Sequence, residues 1–319
     1  DNHGEVVINF SSSKAKISSN SHESQSAGIV GNHNGGSIKN CDNHGAIQIK
    51  NNCANLHQHV GGIAAYMYTD DFDSNYNRST GTITSYASHK TKRLRIGGLV
   101  GVASATSLKN SGNEATIDLN TTQSCNQLLF GGCVGYVYSR ATTYTSLTNS
   151  GALNVNTNMV GNGSAKKIGG IAGTNNVVAT FSKCKNTGNI TVCPELAEGD
   201  TFTNGVATVL YISGITTPYG ETKTATCTGC EFDATITAPS SWQTQVAAIV
   251  GWTYMQGWAT GCKVDGAITK GGETTADITD SNFHNFVFIS GAPADWGTQD
   301  PAYEGNYGVK TEGGNIDDL

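Results

Sequence analysis

Proline is scarce in this sequence, at five of 319 residues, and charged residues make up only 14%. So few charges exclude a coiled coil, whose flanking positions need many of them. The 40 glycines are nearly twice the ordinary share of about 7%, yet they do not recur at every third position, which excludes collagen. No apolar run approaches the ~18 residues of a membrane-spanning helix, and no segment carries a helical apolar stripe. Positive charge is short as well: 19 Lys and Arg stand against 25 Asp and Glu, a net charge of −6. Phosphate backbones are held by Lys and Arg, so nucleic acid is not an expected partner. The one basic cluster, Lys90, Lys92, Arg93 and Arg95, reads as a solvated strand edge. Asp1 follows no apolar leader, so any export signal is expected to have been removed or to lie outside this sequence.

What the chain has in quantity is repetition. A phrase of small, small, aliphatic, small and Gly appears as Ala27-Gly28-Ile29-Val30-Gly31, Gly61-Gly62-Ile63-Ala64-Ala65 and Gly97-Gly98-Leu99-Val100-Gly101. It returns as Gly131-Gly132-Cys133-Val134-Gly135 and Gly169-Gly170-Ile171-Ala172-Gly173, and more loosely as Ser213-Gly214-Ile215-Thr216-Thr217 and Ala247-Ala248-Ile249-Val250-Gly251. Between second residues of successive phrases the steps are 34, 36, 34, 38, 44 and 34. A near-constant period of that size marks a repeat architecture.

A second phrase lies between these anchors, with Cys or Leu, then Asn, Gly and an aliphatic at alternate positions. Examples are Cys41/Asn43/Gly45/Ile47, Leu147/Asn149/Gly151/Leu153 and Cys184/Asn186/Gly188/Ile190; Leu108/Asn110/Gly112 begins the same way, three residues early. Asn-x-Gly reads as a tight turn, and the alternating aliphatics after it as half-buried strands. Each repeat then holds about three short strands. Such a unit cannot bury its own apolar face, so repeats must stack. Stacking predicts one interior column of Ile29, Ile63, Leu99, Cys133, Ile171, Ile215 and Ile249. A second would contain Ile47, Ile83, Leu153, Ile190, Ile236 and Ile268, and a ladder would join Asn43, Asn110, Asn149 and Asn186.

The expected fold is all-β: a right-handed parallel β-helix (β-solenoid) of about seven coils over residues 27–270. Residues 1–26 are expected as an N-terminal cap and residues 271–319 as a C-terminal cap and tail. The competing fold is a seven-bladed β-propeller, whose blades need four antiparallel strands each.

The phrase Gly98-Leu99-Val100-Gly101, with Gly28-Ile29-Val30-Gly31 and Gly170-Ile171-Ala172-Gly173, resembles the GLUG motif. That motif occurs in repeat regions of secreted and surface-attached bacterial proteins, many of them from gut Bacteroidetes. The resemblance covers roughly residues 27–270. It implies an extracellular, adhesin-like protein whose partner is a glycan or a host or microbial surface protein, and it brings no catalytic residues. Some relatives carry a zinc peptidase domain, but His22-Glu23 has no second His at position 26, so that activity is not expected here.

Candidate chemistry is sparse. Cys41, Cys184, Cys230 and Cys262 share a repeat position with Leu108 and Leu147 and read as buried thiols; a lone Cys227-Thr-Gly-Cys230 does not make a zinc site. Asp71, Asp73 and Asn75 alternate like the opening of a calcium loop, but the sixth-position Gly and twelfth-position acid are missing, so a solvated acidic turn is expected. His57-Gln58-His59 reads as surface. No repeat phase gathers acids or bases from several successive coils, as a lyase or glycosidase would need, so neither catalysis nor a cofactor or metal is expected.

One surface candidate stands out. Four and six residues after the second anchor residue come Tyr66 and Tyr68, Tyr136 and Tyr138, and Trp252 and Tyr254. If the anchor aliphatic faces inward, alternation turns these rings outward, as a stripe suited to sugar rings or a partner protein. A corner after the anchor would instead reset the parity and bury them. The function expected is non-catalytic binding at a cell surface; a carbohydrate-active enzyme on the same scaffold and a passive spacer are the alternatives.

Overall fold

The computed structural model describes residues 1–10, 23–51, 56–87, 91–121, 125–157, 166–193, 210–218, 225–239, 244–251, 257–270, 273–274 and 314–315. They form a β-solenoid of stacked parallel coils, with no helix among the described residues. A complete turn carries five short strands, shown by Thr91–Gly97, Val100–Ala105, Ser107–Lys109, Gly112–Asn113 and Ile117–Thr121. Each strand pairs in parallel with its counterpart one turn away, giving five sheets, here numbered I to V in that order. Parallel pairing rules out propeller blades. Three strands per repeat was an undercount, because strands of two or three residues are too short to display alternation.

The anchor column is real. Ile63, Leu99, Cys133, Ile171, Ile215 and Ile249 are all buried, and each amide from Ile63 to Ile215 donates to the carbonyl of the next member. Ile29, at the end of the described stack, is 37% exposed, with no coil of the described residues over it. In sheet V, Val6, Ile47, Ile83, Ile117, Leu153, Ile190, Ile236 and Ile268 lie in continuous register. Sheet I adds an inner column of Val60, Ile96, Phe130, Ile168, Ile212 and Val246.

The asparagine ladder also exists, with different membership. It runs through Asn43, Asn77, Asn113, Asn149 and Asn186, all buried, with Nδ2-to-Oδ1 distances of 2.7, 2.9, 2.8 and 2.8 Å. Asn2 heads it, donating to Asn43 at 2.8 Å. The second amide hydrogen of Asn43, Asn113, Asn149 and Asn186 goes to the carbonyl two residues on. Asn110 is not a member. It has φ 55-like geometry at 48°, and with Asn40, Ser74, Ser146, Lys183, Gly229 and Gly261 it forms the left-handed corner between sheets III and IV in every turn. The third copy of the phrase is therefore Ser111/Asn113/Ala115/Ile117, not Leu108/Asn110/Gly112. Leu108 belongs to sheet III, in register with Phe72 and Tyr144.

Two glycines explain the anchor phrase. A Cβ on Gly98 would lie 2.2 Å from Asn113 Cγ, so the glycine face of the anchor is where the ladder packs. A Cβ on Gly101 would lie 2.7 Å from the backbone of Val60, so the third glycine lets sheet II close against sheet I. In the sixth copy Thr217 stands in that place. There the register between Ala172–Asn175 and Thr216–Pro218 shifts, and among the described residues the following coil adds a single bridge, Thr216 to Val250. About five turns thus stack regularly, slightly fewer than the seven that the phrase count predicts.

Residues 1–10 extend two sheets: Val6–Phe10 joins sheet V, and Asn2 bridges to Asn43 in sheet IV. At the other end, Glu273–Thr274 and Gly314–Asn315 add short antiparallel partners. The rest of 271–319 lies outside the described residues.

Candidate functional site

Sheets I and II follow each other across the anchor glycines, and their outer faces meet at an angle. The outward column of sheet I is His59, Arg95, Leu129, Lys167 and Tyr211. The facing column of sheet II is Asn32, Tyr66, Val102, Tyr136 and Thr174. Val102, Leu129 and Tyr136 form a small apolar cluster separate from the main core, with Tyr66 packed beside it. The His59 ring lies 6.1 Å from that of Tyr66, and the Arg95 guanidinium sits 4.4 Å above the ring of Tyr136.

Of the six aromatics chosen from sequence, Tyr68 and Tyr138 are 39% and 47% exposed, and Tyr66 is half-buried. Tyr136 is only 7% exposed, since its face is covered by Arg95. Its ring lies 5.9 Å from that of Tyr138. Trp252 and Tyr254 lie outside the described residues. The four described rings all face outward, because Met67, Ala103 and Val137 between them point into the core. Beside them Arg140 stacks on Tyr68 at 3.9 Å, hydrogen-bonds its hydroxyl and pairs with Asp70 at 2.6 Å.

Arg95 is the unusual member. It was expected as part of a solvated edge, yet it is 7% exposed, because the angle between the sheets encloses it; Arg93, two residues before, is exposed. Its Nη1 lies 3.3 Å from His59 Nε2. Arginine only donates, so Nε2 accepts and the histidine proton sits on Nδ1. Its Nε finds no acceptor. Among the described residues no carboxylate comes within 4.0 Å of Arg95. Burial lowers its pKa, with a smaller opposing effect from Tyr136, but a guanidinium keeps its charge.

His57 and His59, expected at the surface, are buried for the same reason. Burial first, and then the Arg95 charge, push His59 down to about 3. The Glu23 carboxylate stands 4.0 Å from Nδ1, at the limit of an ion pair and partly exposed, so it does not reverse this. Two coils from Arg95, Lys167 is buried with Nζ 5.4 Å from the Tyr211 ring. Burial pushes the lysine down to about 7 and the tyrosine up to about 12. Lys39, Asp73 and Lys109 in sheet III lie in register over three successive coils, against the expectation that no phase gathers charged groups in this way; Arg95 and Lys167 share one phase with Leu129 between them. The signal lay three residues before the second anchor residue, where successive repeats read His, Arg, Leu, Lys and Tyr.

The other candidates do not converge. Asp71 pairs with Lys39 at 2.6 Å and Lys109 at 3.4 Å, and Asp73 accepts from Asn110 at 3.0 Å. Asn75 turns inward and donates to the Ile38 carbonyl at 2.9 Å. Cys184 and Cys230 occupy the same column as Asn75 and aim their thiols at the corresponding carbonyls of Tyr144 and Phe181. Burial raises the Cys227 thiol well above its ordinary value, reinforced by the Cys230 thiol beside it. Among the described residues no three His, Cys, Asp or Glu side chains are grouped to hold a metal, and no helix is long and apolar enough to cross a membrane.

The assembled angle offers aromatic faces with hydroxyl tips around an enclosed cation, which suits binding of flat, hydroxylated or anionic groups. No family model, curated protein or solved structure matches the chain.

Proposed function

We propose that this chain is a non-catalytic, extracellular binding protein that takes a glycan, or the glycosylated surface of a partner protein, on the outer angle between sheets I and II. The observation that carries this reading is the placement of Tyr66, Tyr68 and Tyr138 on one outer face, with Tyr68 and Tyr138 exposed and Arg140 stacked on Tyr68. Rigid tyrosines lose little conformational freedom on contact and present an apolar face with a polar tip, as a sugar ring requires. The resemblance of the anchor phrase to GLUG repeats supports a secreted or surface-attached bacterial setting. A solenoid supplies the long, stiff surface that such binders use. A glycan array probed with the wild-type chain and with Tyr68→Ala and Tyr138→Ala tests it. Binding that weakens in both variants supports the reading; no binding to any glycan, or binding untouched by either change, contradicts it.

The second reading, a carbohydrate-active enzyme, is favoured by the placement of Lys167 beside Tyr211 in the outward column of sheet I, where burial lowers the lysine toward the range of a general base. Product release from acidic polysaccharides, abolished in Lys167→Met, would establish it in place of the first. A passive spacer predicts neither binding nor turnover.

A further inference from the structure

We propose that Arg95 is the anion-binding centre of this surface, and that it selects glycans carrying a carboxylate. The inference rests on the glycan-binding reading and specifies the sugar. Burying a cation without a counter-ion is costly, and proteins ordinarily pair such a group. Arg95 is more than nine-tenths buried, its Nε has no acceptor, and no carboxylate of the described residues pairs with it. Its nearest polar neighbour, His59, is neutral and lends only a lone pair. The guanidinium plane is already set by stacking on Tyr136, so a bound carboxylate would meet a preformed fork rather than a mobile side chain.

The surroundings fit a sugar acid better than a bare anion. Tyr138 borders Tyr136 at 5.9 Å between ring centres and is exposed, and Tyr66 flanks the site from the preceding coil. A pyranose ring lying on these aromatics would bring its carboxylate to Arg95 at the base of the angle. Lys167 lies in the same column two coils or about 10 Å further along, in the direction that a polysaccharide would run.

The test is a panel of galacturonate, glucuronate and sialic-acid oligosaccharides, each beside its methyl ester, with neutral and sulfated oligosaccharides alongside. Esterification removes the charge and leaves the rings, so the wild-type protein alone decides the main point. At least one acid is expected to bind roughly tenfold or more tighter than its ester, the scale of a charged hydrogen bond. Arg95→Gln should abolish that preference and Arg95→Lys should reduce it, with folding checked by circular dichroism. Arg93→Gln, at an exposed neighbour, should leave it nearly intact. Equal affinity for acids and esters would overturn the role of Arg95 while leaving glycan binding in place. Preference for sulfated over carboxylated sugars would overturn the carboxylate assignment. Failure to bind any member of the panel would remove the glycan reading and this inference together.

Discussion

The carboxamide of Asn113 fills the space that a side chain on Gly98 would need, with Asn113 Cγ 2.2 Å from the ideal Cβ position. The relationship recurs between Gly62 and Asn77, Gly132 and Asn149, and Gly170 and Asn186. Two phrases that look independent along the chain are therefore halves of one contact. Gly98→Ala is expected to destabilise the fold by roughly 3 kcal/mol or more, because both the ladder and the Gly132 carbonyl would have to move. Gly4→Ala, whose added methyl meets nothing closer than 3.7 Å, should change stability far less in chemical denaturation.

The ladder itself makes a second prediction. Asn113 accepts from Asn77 and donates to Asn149 and to the Ala115 carbonyl. Asn113→Ala takes the acceptor from the buried Asn77 amide and the donor from two buried oxygens, Asn149 Oδ1 and the Ala115 carbonyl, a loss of roughly 2–5 kcal/mol. Asn154→Ala, which removes a half-buried bond to Asp118 on the outer face of sheet V, should cost under about 1 kcal/mol. Urea midpoints of the two variants measure the contrast.

Much of this architecture was legible in the sequence because the same residue type recurs at the same phase wherever a column is sealed in the core. Isoleucine, leucine and valine at the anchor and in sheet V announce themselves. The ladder was legible only in part. In the third copy Ala115 replaces the glycine of the phrase, while Asn110-Ser111-Gly112 imitates it three residues early, and in the second copy Gly81 follows Asn77 two residues late. The outer angle between sheets I and II was hidden for a different reason. Its column reads His59, Arg95, Leu129, Lys167 and Tyr211, since these side chains answer to individual partners, Tyr66 for His59, Tyr136 for Arg95 and Tyr211 for Lys167, instead of to a shared apolar interior. The outward turn of Tyr66, Tyr68, Tyr136 and Tyr138 followed from alternation; the burial of Tyr136 did not, because it depends on Arg95.

Gln58 offers a gain in stability. It occupies the inner column of sheet I, in register with Leu94, which in turn pairs with Leu128, and both ends of its buried amide lack partners. Gln58→Leu continues the apolar column and removes the unsatisfied amide, so stability should rise by about 1–3 kcal/mol. A fall in the thermal midpoint would show that the amide is satisfied in solution.

His59 gives the fold a defined acid sensitivity. Its pKa is about 3 in the folded chain against 6.5 in the ordinary state, so between those values the unfolded chain binds more protons. Its contribution is complete above about pH 6.5 and declines as pH falls toward 3, with a slope of up to roughly 1.4 kcal/mol per pH unit. The lowered carboxylates Asp71 and Asp73 act below their ordinary value of 3.8, at the acid end of that window. Stability measured from pH 6.5 to 4.5 should therefore fall more steeply in the wild type than in His59→Gln.

Vertical register is tested most directly by distances between spin labels on outward positions of sheet V. Gln48, Thr84, Asp118, Asn154, Thr191 and Thr237 follow one another there, with Val7 before Gln48. Labels carried on encoded ketone side chains at 48/191, 7/191 and 7/237 span four, five and six coils. Their separations should grow in even steps of about 4.8 Å per coil. Separations that level off or shrink as intervening repeats are added would mean that the repeats run around a ring, and stacking would be wrong.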